Sequence, residues 1–246
     1  MVRDGTGGWR LSPSLAADVS VAAARGLARA AAPILEAVGT HMAVLNEATA
    51  ALRHRMRALR RTLPLAVRLA AERDIRIQLR RLGLWRRGRR IAVYLAHGGE
   101  VDLRDAFEDA WSAGVRLYVP LVTRRRDGRM TFVPLTATTV FRKNFYRIEE
   151  PASGLKGRIF LRELDAVMVP TVAFDGRGHR LGMGAGYYDR ALRRRLDRSR
   201  AWRRPRLVGI AFAAQEVSAI DAAPWDVALD EIVTERGVRR HSSTLR

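Results

Sequence analysis

The sequence predicts an α/β fold, a mostly parallel β-sheet flanked by helices, and three observations carry that prediction. Runs of continuous apolar character recur at 91–96, 115–122, 166–172 and 207–212, as in strands buried on both faces. Segments of helical periodicity alternate with them, which is the rhythm of βαβ units. Of the 246 residues, 48% are hydrophobic, enough to build a core and to exclude wholesale disorder.

Residues 1–45 read as an Ala-rich extension, partly helical or disordered, ahead of a domain over 46–240. Leu15 to Val38 is apolar in bulk, but Asp18, Arg25, Arg29 and Glu36 interrupt it and Pro33 sits inside. A membrane span needs about 20 apolar residues with few charges, so none is expected. The pattern of a secretory signal is missing, and Asp4, Asp18, Glu36 and Glu47 weigh against an organellar leader.

A basic helix is expected over Asn46–Arg61. Leu52, Met56, Leu59 and Leu63 recur at i, i+4, i+7 and i+11 among Arg53, Arg55, Arg57, Arg60 and Arg61. Pro64 breaks it, a second helix covers 65–82, and Gly83 and Gly88 close that one. Ile91–Ala96 is the first strand. Asp102 is a plausible N-cap for a helix carrying Leu103, Ala106, Phe107, Ala110 and Trp111, which Gly114 ends. Val115–Val122 and Met130–Leu135 are strands either side of a basic turn. Ala166–Val172 is a buried strand, Tyr187–Arg195 a helix and Leu207–Phe212 a strand again.

Formal charge is +20, so the chain attracts polyanions: nucleic acid, an anionic surface, or phosphorylated and carboxylated small molecules. Of 45 basic residues only Lys143 and Lys156 are lysine, a bias that reads as the codon usage of a GC-rich genome. There are no cysteines, which removes disulfides, thiolate nucleophiles, Cys-ligated zinc and iron–sulfur clusters, and fits a reducing cytoplasm. His41, His54, His97, His179 and His241 show no metal-ligand spacing, and His97 and His179 read as exposed loop positions.

Chemistry concentrates at 169–190, VPTVAFDGRGHRLGMGAGYYDR. A strand leads to a turn at Asp175–Gly178 and then to Gly182, Gly184 and Gly186, which open a helix. Glycines there let backbone N–H groups approach an anion closely. The spacing is not the dinucleotide fingerprint, whose last glycine would fall on Tyr187, and no Gly-Lys-Ser/Thr follows as in a P-loop. Such a turn by itself is more often a tight structural loop than a phosphate cradle. Arg180 before it, and Tyr187, Tyr188 and Asp189 after it, add a guanidinium for phosphate, two rings for stacking and a carboxylate for a cation.

RLGMGAGYYDR resembles the signature of the 5-formyltetrahydrofolate cyclo-ligase (methenyltetrahydrofolate synthetase) family. YLAHGGEVD at 94–102, KNFYRIEEP at 143–151, VPTVAFD at 169–175 and WDVALDEIVTE at 225–235 follow the family's order, so the resemblance covers about Leu52 to Glu235. It implies a three-layer, Rossmann-like fold of the NagB/RpiA/CoA-transferase-like kind. It also implies ATP-dependent ring closure of 5-formyltetrahydrofolate to 5,10-methenyltetrahydrofolate in the cytoplasm, with Mg²⁺ as cofactor. The partners expected are ATP and the folate, with or without a polyglutamate tail, bound by a monomer with no membrane involved, while the charge alone does not exclude nucleic acid.

Carried over by position, the resemblance assigns ATP binding to Arg53, Arg180, Leu181, Gly182, Met183, Gly184, Ala185, Gly186, Tyr187 and Tyr188. Arg180 and Tyr188 take the catalytic roles. Gly182 to Tyr187 also line the folate pocket, with Leu95 and Glu100 at the pterin, whose paired N–H donors suit a carboxylate. Asp189 and Asp226 match magnesium ligands. Without the family, Glu100 reads as a solvated turn acid, Asp189 as a first-turn helix carboxylate and Asp226 as a surface turn residue. The family's usual lysine four residues before Arg53 is Thr49 here, so Arg55, Arg57 or His54 must supply that charge or ATP binding weakens.

Three other readings stand beside this one. The charge and the arginine run at 193–206 suit a nucleic-acid binder, although no binding motif accompanies them and aromatic residues do not interleave. A family member with lost or altered catalysis, or an α/β protein binding sugar phosphate or coenzyme A, would share the fold. The intact glycines with Tyr188, Asp189 and Asp226 argue against loss, and Glu100 with the tyrosine pair favours a pterin.

Overall fold

A computed structural model describes residues 2–3, 9–10, 47–124, 129–143, 149–193 and 205–241. The chain divides into two compact units, Met1–Ala51 and Leu52–Arg246. In the first, β1 (Val2–Arg3) pairs antiparallel with β2 (Trp9–Arg10), and 47–51 are helical. The expectations placed on 11–46, His41, 144–148, 194–204 and the basic turn at 125–128 lie outside the described residues.

The second unit opens with helix α1 (52–62), which stops before Pro64, and α2 (Leu65–Arg81) follows. The sheet then assembles from β3 (Arg90–Ala92), β4 (Arg116–Arg124), β5 (Arg129–Leu135), β8 (Ala166–Pro170), β11 (Arg206–Ile210), β12 (Glu231–Thr234) and β13 (Gly237–Arg240). Their order is β13-β12-β11-β8-β3-β4-β5. The five inner strands are all parallel to one another, while β5 and β13 fold back antiparallel on β4 and β12 as edges. Outside this sheet, β6 (Phe141–Lys143) pairs with β7 (Glu149–Pro151), and β9 (Ala173–Phe174) pairs with β10 (Arg180–Leu181).

The pleat divides the strands between two cores. Ile91, Leu117, Val119, Ala166, Met168, Val208 and Ile210 face Ile75 and Leu79 of α2 and Phe107 and Ala110 of α3 (Arg104–Ser112). Their neighbours Ala92, Tyr118, Val167, Val169 and Leu207 pack on the other face with Leu192 of α4 (Tyr187–Leu192). Burial on both faces is why these strands read as unbroken apolar runs rather than as alternation. Among the described residues no helix is long and apolar enough to cross a membrane.

Local departures have local causes. The first strand ends at Ala92 rather than Ala96, although Val93 and Tyr94 remain buried beneath the loop that follows. Leu103, not Asp102, is the N-cap of α3; Asp102 stands one residue earlier and accepts a hydrogen bond from the Arg104 N–H at 3.0 Å. The hairpins at 173–181 and 231–240 had no counterpart in the sequence reading, because β9 and β10 are two residues each and β13 is largely polar.

Candidate active site

Numbered along the chain, the parallel strands lie in the order 2-1-3-4-5, and the reversal falls between β3 and β8. Open α/β sheets bind ligands outside the carboxyl ends of the strands at such a switch point. Two loops leave the sheet there: 93–101 after β3, and the segment after β8 that includes β9, β10 and the glycine turn. All the site residues expected from the sequence except Arg53 and Asp226 sit on these loops or at the start of α4.

The first loop turns tightly at 97–100, where Gly98 and Gly99 hold φ of 60° and 83°. Glu100 is 9% exposed, and its Oε2 accepts a hydrogen bond from the His97 N–H at 3.1 Å. Burial pushes its carboxyl above the usual carboxylate range, with Arg60, the His97 N–H and Arg57 opposing. It is therefore not the solvated turn acid that its neighbours suggest. Tyr94, buried beneath, donates to the Val101 carbonyl at 3.0 Å. Leu95 is half-buried at the rim of the core, and His97 is exposed as expected.

The second loop is organised from Asp175, whose side chain is wholly buried. It accepts hydrogen bonds from the backbone N–H groups of Arg177 at 2.9 Å, His179 at 3.0 Å and Ile220 at 3.1 Å. Burial pushes this carboxyl up, and those donors with the Arg177 guanidinium more than offset it, so it lies below its ordinary value. His179 is held at 3.2 Å from the same carboxylate and is half-buried, not the exposed loop position its sequence context suggests. Past β10, Gly184 takes φ of 98° and Gly186, the N-cap of α4, takes 64°, conformations L side chains rarely adopt. Met183, Gly184 and Ala185 are exposed, while Tyr188 packs its ring on the core.

Arg180, 9% exposed, pairs with Asp189 at the start of α4 and donates to the Val227 carbonyl beside Asp226. One guanidinium thereby ties together the two carboxylate-bearing segments that the resemblance assigns to a cation. Asp226 itself closes a turn, accepting at Oδ2 from the Ala223 N–H at 2.9 Å. Among the described residues no three His, Asp or Glu side chains gather as a metal cage. Two carboxylates nevertheless suit magnesium, which usually takes one or two from the protein and fills its octahedron with phosphate oxygens and water.

Helix α1 lies across both loops. Leu52 and Met56 pack against Val172, Ala173 and Leu181, and the Arg53 Nε donates to the Gly182 carbonyl at 2.8 Å. Beyond it, Arg60 is 1% exposed and donates from Nη2 to the Gly98 carbonyl at 3.1 Å, with Nη1 3.9 Å from Glu100. Hydropathy placed Leu59 on the inner face; Leu59 is only half-buried and Arg60 is the buried residue. Arg53, Arg57 and Arg60, at i, i+4 and i+7, thus form an inward basic stripe. Of the three substitutes considered for Thr49, His54 and Arg55 are exposed and Arg57 is half-buried with its Nε shielded. Burial and the Arg57 charge lower Arg53; burial lowers Arg60, with Glu100 opposing it. The stripe favours an anion.

Sequence reasoning missed Arg60, Tyr94 and Asp175 as parts of this arrangement. A charge at an inward register position of an otherwise amphipathic helix was the available signal for Arg60.

Comparisons with known proteins bear on the family. The profile of the 5-formyltetrahydrofolate cyclo-ligase family matches residues 45–235. The 5-formyltetrahydrofolate cyclo-ligase of Escherichia coli K12 is 34% identical over 146 residues, 58% of this chain and 76% of the relative. That of Haemophilus influenzae is 29% identical over 182 residues, 74% of this chain and 95% of the relative. Among solved structures, the 5,10-methenyltetrahydrofolate synthetase of Aquifex aeolicus superimposes with a TM-score of 0.66 at 28% identity, over 80% of this chain and 95% of that one. With that match, and with the motif loops meeting at the switch point, the chain belongs to the 5-formyltetrahydrofolate cyclo-ligase family.

Proposed function

We propose that the protein closes the ring of 5-formyltetrahydrofolate at the expense of ATP, giving 5,10-methenyltetrahydrofolate, ADP and phosphate. The observation that carries this is the meeting of a buried carboxylate, Glu100, with an arginine-backed glycine loop under one helix. The carboxylate suits the paired N–H donors of a pterin edge, and the loop with Arg53 and Arg57 suits a triphosphate. A formamide oxygen leaves poorly. Transfer of the γ-phosphoryl group to it makes a phosphate leaving group; the amine at position 10 then attacks the same carbon, and the C–O bond breaks. The residues' task is positioning and charge neutralisation.

In this reading Gly182 to Tyr187 present backbone N–H groups to phosphate, Arg180 and Tyr188 border the reacting centre, and Leu95 and Glu100 hold the pterin. Arg57 takes the charge that Thr49 lacks. Asp189 and Asp226 would hold magnesium, which supplies neutralisation of phosphate charge. The reaction is placed in the cytoplasm on a monomer. The test is incubation with 5-formyltetrahydrofolate and MgATP while following the near-ultraviolet absorbance of the methenyl product. Product that forms with MgATP and stops with EDTA supports the reading. No product with excess MgATP, or equal turnover in EDTA, rejects it.

A further inference from the structure

We propose that Arg60 is the positioning residue for Glu100: its buried guanidinium orients the carboxylate and stands as its nearest counter-charge, so that Glu100 can accept the N–H donors of a pterin ring. The identity of the ligand rests on the reading above; the coupling of the two side chains rests on geometry alone.

The geometry is specific. Arg60 is 1% exposed and Glu100 9%, so their interaction is little screened by solvent. Arg60 Nη2 is committed to the Gly98 carbonyl, which fixes the guanidinium against the 97–100 turn. Its Nε and Nη1 have no hydrogen-bond partner among the described residues. Nη1 stands 3.9 Å from Glu100 Oε1, an ion-pair distance beyond hydrogen-bond range. A bidentate pair would consume the acceptor sites of the carboxylate, whereas this separation sustains its charge and leaves lone pairs on Oε1 for a ligand. The Arg68 guanidinium, bonded to the Arg60 carbonyl at 2.6 Å, steadies the end of α1 that carries the arrangement.

The other groups facing Glu100 do not replace this cation. Arg57, from the same helix, acts in the same direction and more weakly; the His97 N–H supports Oε2. Tyr94 beneath the loop is a buried phenol and Tyr188 from α4 a half-buried one, and desolvation and Glu100 itself push both up. Asp102 acts on Tyr94 and Arg180 on Tyr188, each one group further away. Because burial already lifts the Glu100 carboxyl, loss of the nearest opposing charge lifts it further, and the acceptor form is lost as pH falls.

The test is a ¹³C-carboxyl titration of Glu100 in the free protein, for wild type, Arg60→Met and Arg60→Lys, paired with equilibrium binding of 5-formyltetrahydrofolate without ATP. In Arg60→Met the Glu100 midpoint should move up and folate affinity should fall about tenfold or more at neutral pH. Affinity should weaken further as pH is lowered, over a range where wild type is flat. Arg60→Lys should keep the midpoint near wild type. Glu100→Gln should bind weakly at every pH, and adding Arg60→Met to it should cost little more. An unmoved midpoint in Arg60→Met, or equal pH-independent weakening that adds fully to Glu100→Gln, overturns the proposal. If Arg60→Met does not fold, a raised midpoint in Arg60→Gln supports it and an unmoved one overturns it. A shifted midpoint in a protein that binds no folate keeps the coupling and rejects the folate reading instead.

Discussion

Asp189 and Glu100 are both carboxylates at one site, and their surroundings separate their expected roles. Asp189 sits at the first turn of α4, paired with the Arg180 guanidinium, where the proposed reaction would bring phosphate and a cation. Glu100 is buried in a turn, with Oε2 on the His97 N–H and Oε1 3.9 Å from the Arg60 guanidinium, and the proposed reading gives it the pterin. Losing a charged hydrogen-bond acceptor costs about 1.5 to 3 kcal/mol, or roughly one to two decades, with the half-exposed Asp189 toward the lower end. Asp189→Asn should therefore lower kcat/KM for MgATP by that order, with partial rescue by excess Mg²⁺, read from initial rates across a magnesium titration. Glu100→Gln should raise the folate KM and leave the magnesium dependence unchanged. The reverse pattern would mean that the two roles are exchanged.

At the scale of elements, the glycine turn and the α2–α3 pair make separate predictions. A Cβ on Gly184 would lie 3.4 Å from the Arg53 guanidinium carbon, and the residue holds φ of 98°. Gly184→Ala should cost about 1 to 2 kcal/mol in a denaturant melt from backbone strain and should raise the ATP KM. Between α2 and α3, Asp109 accepts bidentate hydrogen bonds from Arg76, at 2.8 and 2.7 Å, and from Arg80, at 2.7 and 2.6 Å. Those two guanidinium groups hold its carboxyl well below the usual carboxylate range. A depressed carboxyl stabilises the fold above its unfolded value, about 3.9, and that contribution is lost as pH falls toward the folded value. Asp109→Asn should thus lower the denaturation midpoint at neutral pH, and the gap to wild type should narrow in strong acid. The elements legible in the sequence are the strands buried on both faces, where hydropathy is unambiguous, and the helices with a periodic apolar face. The short β9–β10 hairpin and the basic inner face of α1 were hidden, since two-residue strands show no period and an inward arginine contradicts the hydropathy pattern that locates a core.

For the whole molecule, the α/β class, the parallel strands and the glycine turn were legible because each follows from local composition. The strand order was not, and it is the order that brings Glu100 and Gly182–Gly186 to one switch point from positions more than 80 residues apart. The role of Asp175 was hidden for a related reason: its partner Ile220 is distant in the chain. The family match begins at residue 45, and the Haemophilus influenzae relative is covered to 95% of its length by 74% of this chain. Removing residues 1–45 should therefore leave kcat and both KM values within a fewfold, checked by steady-state assay and by an unchanged melting profile.

The central claim, that ATP activates the formyl oxygen for expulsion at this site, is tested most directly by following that oxygen. The wild-type enzyme is given 5-formyltetrahydrofolate labelled with ¹⁸O in the formyl group, together with MgATP, and the released inorganic phosphate is analysed by ³¹P NMR or mass spectrometry. The account predicts one ¹⁸O atom in each phosphate released, one phosphate for each methenyl product, and no label in water. Label recovered in water, or methenyl product formed without stoichiometric phosphate, would contradict it.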